Sequence, residues 1–119
     1  MGNYMRFEDL EIWKESMRVC EEIYKLLKDC RDFGLRDQMQ RAAVSVVSNI
    51  AEGYERKGTK ETVHFLYISK ASCGELRTQL YLAIHLKYID EETGNKLLND
   101  LVTLNIKIYR YIKAINKTT

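Results

Sequence analysis

Proline is absent from this chain, and glycine occurs only six times in 119 residues. Proline breaks helix interiors and stiffens loops, so its absence suits a nearly all-helical chain with short connections. Cysteine is scarce too. Cys20, Cys30 and Cys73 are odd in number and form no C-x-x-C pair, which excludes zinc-ribbon and thioredoxin-like readings. Cys20 falls on an apolar row and reads as a small core residue. No run approaches the ~18 apolar residues of a membrane span. Met1 to Arg6 lacks the apolar stretch of a secretory signal. The expectation is a cytoplasmic protein with no membrane partner.

What is present is globular in composition: 45% hydrophobic and 30% charged residues. The length suits one domain, residues 1–119, able to bury a core without disulfide or metal staples. A net charge of +2 is too small to announce a nucleic-acid binder through bulk electrostatics. The distribution is more informative. No acid follows Asp100, while Lys107, Arg110, Lys113 and Lys117 do. Those cations complement the negative end of their own helix, or else form a binding patch.

Apolar spacing predicts four helices, at about 8–31, 35–56, 60–86 and 91–116. In the first, Leu10, Trp13, Met17, Cys20, Tyr24 and Leu27 form one row. Ile12, Val19, Ile23 and Leu26 form a second beside it. Two rows are wider than one bundle seam and suggest a further interface. Gly34 is expected to end this helix, as a left-handed C-cap residue.

The second helix turns Met39, Ala42, Ala43, Val46, Ile50 and Gly53 inward, its small residues admitting a close neighbour. Gly58 ends it, and Thr59 is expected to cap the next. The third offers Val63, Phe65, Leu66, Ser69, Cys73, Leu76, Leu80 and Ala83 to the core. Asp90-Glu91-Glu92 starts the fourth. Its seam of Gly94, Leu97, Leu101, Leu104, Ile108, Tyr111 and Ile115 is the cleanest in the chain. Short links between such helices give an all-α, antiparallel, up-down-up-down four-helix bundle.

The reactions open to a bundle each fail a sequence test. A di-iron centre needs two E-x-x-H pairs and further glutamates. Only Glu61-Thr62-Val63-His64 qualifies, and His85 has Leu82 three residues before it. A helical nuclease needs an arginine and a histidine in closer spacing than Arg56–His64 or Arg77–His85, each eight apart. No phosphate-binding glycine loop, nucleophile elbow or H-E-x-x-H occurs. No catalytic, cofactor-binding or metal-binding residue is assigned, and no enzyme activity is expected.

One polar constellation stands out. Gln38, Arg41, Ser45, Ser48, Glu52 and Glu55 share a face of the second helix. Asn49 borders it, and Ser72 and Glu75 lie a turn apart on the third. These residues read as an interhelical polar stripe, with Arg41 paired to a glutamate such as Glu75, or as a groove for RNA or a partner. Eight tyrosines, with Tyr81, Tyr88, Tyr109 and Tyr111 late in the chain, suit core and subunit contacts or base stacking beside Lys107, Arg110 and Lys113.

The stretch from Gln38 to Gly53 resembles the signature of the four-helix bundle proteins encoded in intervening sequences of bacterial 23S ribosomal RNA genes. That family's pattern is roughly Q-x-x-R-A-x-x-S-x-x-x-N-I-A-E-G. Gln38, Arg41, Ala42, Ser45, Asn49, Ile50, Ala51, Glu52 and Gly53 match it. Phe7, Leu10 and Trp13 resemble the family's opening F-x-x-L-x-x-W. The run from Phe65 to Leu76, with Ser72 and Glu75, resembles its third-helix F-L-x-I-A-x-x-S-x-x-E-L. Ser69 replaces the usual alanine, and the family's frequent prolines in the first loop and in helix two are missing.

The resemblance covers nearly the whole chain. It implies a four-helix bundle and a ring-like homopentamer, similar in architecture to the accessory protein of diversity-generating retroelements. It also implies association with structured ribosomal RNA or a ribonucleoprotein. The nucleic-acid-binding candidates are Arg41, Arg56, Lys57, Lys107, Arg110 and Lys113. The family-motif polar positions are Gln38, Arg41, Ser45, Asn49, Glu52, Ser72 and Glu75. The alternative is a homo-oligomeric protein–protein scaffold with no nucleic-acid role. A weaker third reading is a hydrolase using Glu52 or Glu75.

Overall fold

The computed structural model describes residues 5–117. The opening segment, read above as lacking a signal sequence, lies mostly outside them. A short 3-10 turn, Phe7–Asp9, leads into α1 (Glu11–Leu26), α2 (Phe33–Tyr54), α3 (Thr59–His85) and α4 (Glu91–Lys117). The four helices pack in a closed ring, each against its sequence neighbours, with α1 against α4.

Cross-helix contacts fix the direction of three of the pairs. Ser45 meets Ser72 and Val46 meets Ser69 across α2–α3. Lys70 meets Asn105 and Ile84 packs on Gly94 across α3–α4. Glu11 meets Lys107 and Arg18 meets Asp100 across α1–α4. Numbers rise on one helix as they fall on the other, so these neighbours run antiparallel. The bundle measures 48 × 23 × 23 Å, and ~40 Å of that length is a 27-residue helix at ~1.5 Å per residue.

The expected core rows of α2 and α4 are inside. Met39, Ala42, Ala43, Val46, Ile50 and Gly53 are buried, as are Gly94, Leu97, Leu101, Leu104 and Ile108; Tyr111 and Ile115 are half-buried at the end. In α1 the two apolar rows divide. Ile12, Val19, Cys20, Ile23 and Leu27 go inward, while Met17 and Tyr24 remain 38% and 45% exposed. A helix in a bundle has only two neighbours to cover it, so the wider apolar face is left partly outside.

The helix ends differ from the sequence expectation for local reasons. Leu10 adopts an extended backbone, which separates the leading turn from α1. The apolar row of α1 ends at Leu27, and the helix ends beside it at Leu26, not at Arg31. Asp32 then caps α2, its side chain accepting from the Leu35 N–H at 3.1 Å. Gly34 is therefore inside the first turn of α2 and is not a C-cap. Gly58, not Thr59, occupies the N-cap of α3. Asp90 caps α4 as expected, accepting from the Thr93 N–H at 3.0 Å, and that bond holds its carboxyl below the usual range.

The left-handed residue sits where no glycine marks it. Lys87, with φ of 65°, follows α3. The Tyr88 N–H reaches the Ala83 carbonyl at 2.9 Å, and the Lys87 N–H reaches that of Ile84 at 3.0 Å. This Schellman closure normally uses glycine, because a Cβ in that conformation costs ~1 kcal/mol or more. Lys87→Gly is therefore expected to stabilise the fold by about 0.5–1 kcal/mol, read as a rise in thermal midpoint. An unchanged or lower midpoint would show that the lysine side chain compensates.

Candidate nucleic-acid interface

The α2 polar row is present, and the structure divides it by role. Ser45 and Ser72 share a hydrogen bond between their hydroxyls at 2.7 Å. The Asn49 amide donates to the Ser45 carbonyl and hydroxyl at 2.9 and 3.0 Å. Below them the buried Ser69 hydroxyl donates to the Val46 carbonyl at 2.7 Å. The Ser45–Ser72 and Ser69–Val46 bonds clasp α2 to α3, satisfying polar groups that packing has withdrawn from water. They also give the serine at position 69 a use that an alanine lacks. Glu52 pairs with Arg56 one turn later. Arg56 also faces Glu61 at 3.7 Å and lies over the Phe65 ring at 4.6 Å. It is a tether across the α2–α3 turn.

Gln38, Arg41 and Glu75 are exposed and have no hydrogen bond or ion pair among the described residues. Arg41 does not pair with Glu75. Four residues before Ser45, it is rotated ~40° around the helix, away from α3. There it lines a hollow of 410 Å³ with Tyr24, Asp37, Val44 and Ser48. An adjoining hollow of 490 Å³ is lined by Met17, Cys20, Tyr24 and Val44. Together they make a partly apolar groove along α1 and α2.

The basic residues also separate. Lys107 is held by Glu15 at 2.8 Å and Glu11 at 3.0 Å. Its hydrogen bonds to Glu15 and Glu11 raise its pKa, and the bond from Lys107 holds Glu11 below the usual range. Its charge is therefore spent inside the protein. Lys57, Arg110 and Lys113 have no carboxylate partner among the described residues. Lys113 instead lies 5.9 Å from the centre of the Tyr109 ring, and Lys70 of α3 lies 5.7 Å from it. Arg41 sits well away from this group, about 22 Å along α2 from Arg56.

Sequence reading missed Lys70 and did not single out Tyr67. Tyr67 precedes Lys70 by three residues and so shares its face, a signal open to inspection. Only the α3–α4 pairing, fixed by the Asn105 amide on the Lys70 carbonyl at 3.5 Å, brings Lys70 to Tyr109. The outcome is an α3–α4 surface where Lys70 and Lys113 flank the exposed Tyr109, while Lys57 lies in the α2–α3 turn and Arg110 lines a hollow between α1 and α4 with Glu11 and Lys107. Such a surface can contact phosphates and stack on bases.

The groups that could react are placed elsewhere. His64 and His85 lie at opposite ends of α3, about 31 Å apart. His64 packs edge-on against Phe65, and His85 contacts the Tyr81 carbonyl at 2.9 Å. Burial pushes the Cys73 thiol up to about 12 and raises that of Cys20. Neither forms a thiolate nucleophile near neutral pH. Among the described residues no three His, Cys, Asp or Glu are grouped to hold a metal. No helix there is long and apolar enough to cross a membrane.

The sequence pattern of a family described as "23S rRNA-intervening sequence protein" matches residues 8–110. No curated protein matches the chain. Among solved structures, the chain is similar to a protein of unknown function from the S23 ribosomal protein family of Bacteroides thetaiotaomicron. The two are 24% identical, with a TM-score of 0.80, over 86% of this chain and 98% of that one. At that identity the likeness speaks for the fold alone.

Proposed function

Because the chain belongs to the 23S rRNA-intervening sequence protein family, we propose that it is a non-enzymatic, self-associating bundle that binds structured RNA. The observation that carries this reading is the set of cations left without an acid partner. Lys57, Lys70, Arg110 and Lys113 have no carboxylate partner among the described residues, while neighbouring Arg56 and Lys107 are neutralised. Phosphate contacts position RNA without reading its sequence. Assembly multiplies a modest patch, because repeated weak sites gain avidity. The α1–α2 groove, with Met17, Tyr24 and Val44 between 38% and 45% exposed, is the surface that favours self-association. The family resemblance makes a pentameric ring the expected assembly, in the cytoplasm.

The same groove favours the second reading, a homo-oligomeric scaffold that ignores RNA. Reversing Arg110 and Lys113 together to glutamate separates the two. Both side chains are exposed, so the fold is expected to survive, and light scattering checks the assembly. The RNA reading predicts a loss of affinity of about ten-fold or more in a filter-binding assay on a ribosomal RNA fragment. Undiminished binding would remove these two residues from the interface.

A further inference from the structure

The RNA reading leaves open whether these cations grip a duplex backbone or an unpaired strand. The surroundings of Tyr109 decide between them. The ring is 43% exposed, and its hydroxyl has no hydrogen bond among the described residues. Lys70 and Lys113 hold their ammonium groups 5.7 and 5.9 Å from the ring centre. Tyr67, 47% exposed, stands on the same side of α3. Beyond them the surface is small and open. Ala71 is exposed, and a Cβ built on Gly74 would meet nothing within 4 Å. Val102 and Ile106 of α4 continue the apolar strip at 38% and 45% exposure.

We propose that this α3–α4 face takes unpaired nucleotides of single-stranded RNA, with one base stacked on Tyr109 and the flanking phosphates on Lys70 and Lys113. The proposal rests on the RNA reading and names the form of RNA. Charge complementarity selects a polyanion, since Lys70 and Lys113 flank the ring and neither has a carboxylate partner among the described residues. The aromatic and apolar strip selects exposed bases, because those of a duplex are already stacked on one another. The deep, narrow major groove of A-form RNA excludes side chains from base edges, so a ring on a convex helix surface gains nothing from a paired stem. Base–aromatic stacking is tolerant of sequence, so the expected site prefers loops and ends without preferring one base.

The test compares a short oligouridylate with a blunt RNA duplex of equal length, by fluorescence anisotropy at low salt. Wild type is expected to bind the single strand more tightly. Tyr109→Ala is expected to weaken that binding by about ten-fold or more and to leave duplex binding nearly unchanged. Tyr109→Phe keeps the ring and is expected to match wild type. A preference for the duplex, or full affinity in Tyr109→Ala, overturns the proposal while the RNA reading stands. If neither RNA binds, both fall. If Tyr109→Ala lowers the particle mass in RNA-free buffer, a second copy of the chain covers this face and the proposal is overturned.

Discussion

Replacing Gly53 by valine is expected to cost about 1–3 kcal/mol of stability, lowering the thermal midpoint by roughly 4–12 °C for a domain of this size. The reason lies in a close approach of α2 and α3. A Cβ at Gly53 would stand 3.0 Å from the Thr62 carbonyl oxygen and 3.1 Å from the Phe65 Cβ. The carbonyl is part of the α3 backbone and cannot rotate away. Valine adds two methyl groups to that crowding, which outweighs the few tenths of a kcal/mol it gains over glycine in helix propensity. Gly74 provides the opposite case on α3. Nothing lies within 4 Å of a Cβ there, so Gly74→Ala is expected to stabilise by up to ~1 kcal/mol. Thermal melts followed by circular dichroism read both signs. Equal midpoints for Gly53→Val and wild type would mean that α2 and α3 pack more loosely than their geometry requires.

RNA binding is expected to weaken about 50- to 150-fold between about 50 and about 200 mM salt. Four phosphate contacts per protomer, one for each unpaired cation, give a slope of roughly −0.7 to −0.9 per contact in the logarithm of affinity against the logarithm of salt. Lys113→Ala should reduce that slope by about one. Lys107→Ala should leave it unchanged, because Glu15 and Glu11 already hold the Lys107 ammonium. The pair of variants matters more than either alone. Both remove one positive charge from α4, so a response governed by net charge would shift them equally. A salt-independent affinity would mean that phosphates are not what these cations recognise.

The parts of the fold legible in the sequence are those set by one helix at a time. The α4 seam from Gly94 to Ile108 follows an uninterrupted three-four spacing and is buried throughout. The small residues of α2 foretell its close contact with α3. In α1, periodicity offered two rows and could not rank them. The choice of Ile12, Val19 and Ile23 over Met17 and Tyr24 depends on where α2 and α4 stand. The left-handed Lys87 was hidden because a lysine carries no signal for that backbone conformation.

The candidate site is less legible for the same reason. Ser45, Asn49 and Ser72 were visible as polar positions on neighbouring helices, but the Ser45–Ser72 hydrogen bond needed the α2–α3 register. Arg41, rotated toward α1, could not be separated from Ser45 by spacing alone, since both belong to one polar row. Lys107 and Lys113 looked alike in a run of basic residues. Glu11 and Glu15 neutralise the first from nearly the other end of the chain. The Tyr109 setting combines two cations from different helices, and only the third residue in that run, Lys113, is local to it in sequence.

Light scattering on the purified protein, with and without a structured ribosomal RNA fragment, tests the central claim most directly when run at low and at physiological salt. The account predicts an oligomer by itself, a heavier complex with RNA, and a fall in the heavier species as salt rises. A monomer, or an oligomer whose mass RNA leaves unchanged at both salts, would contradict it.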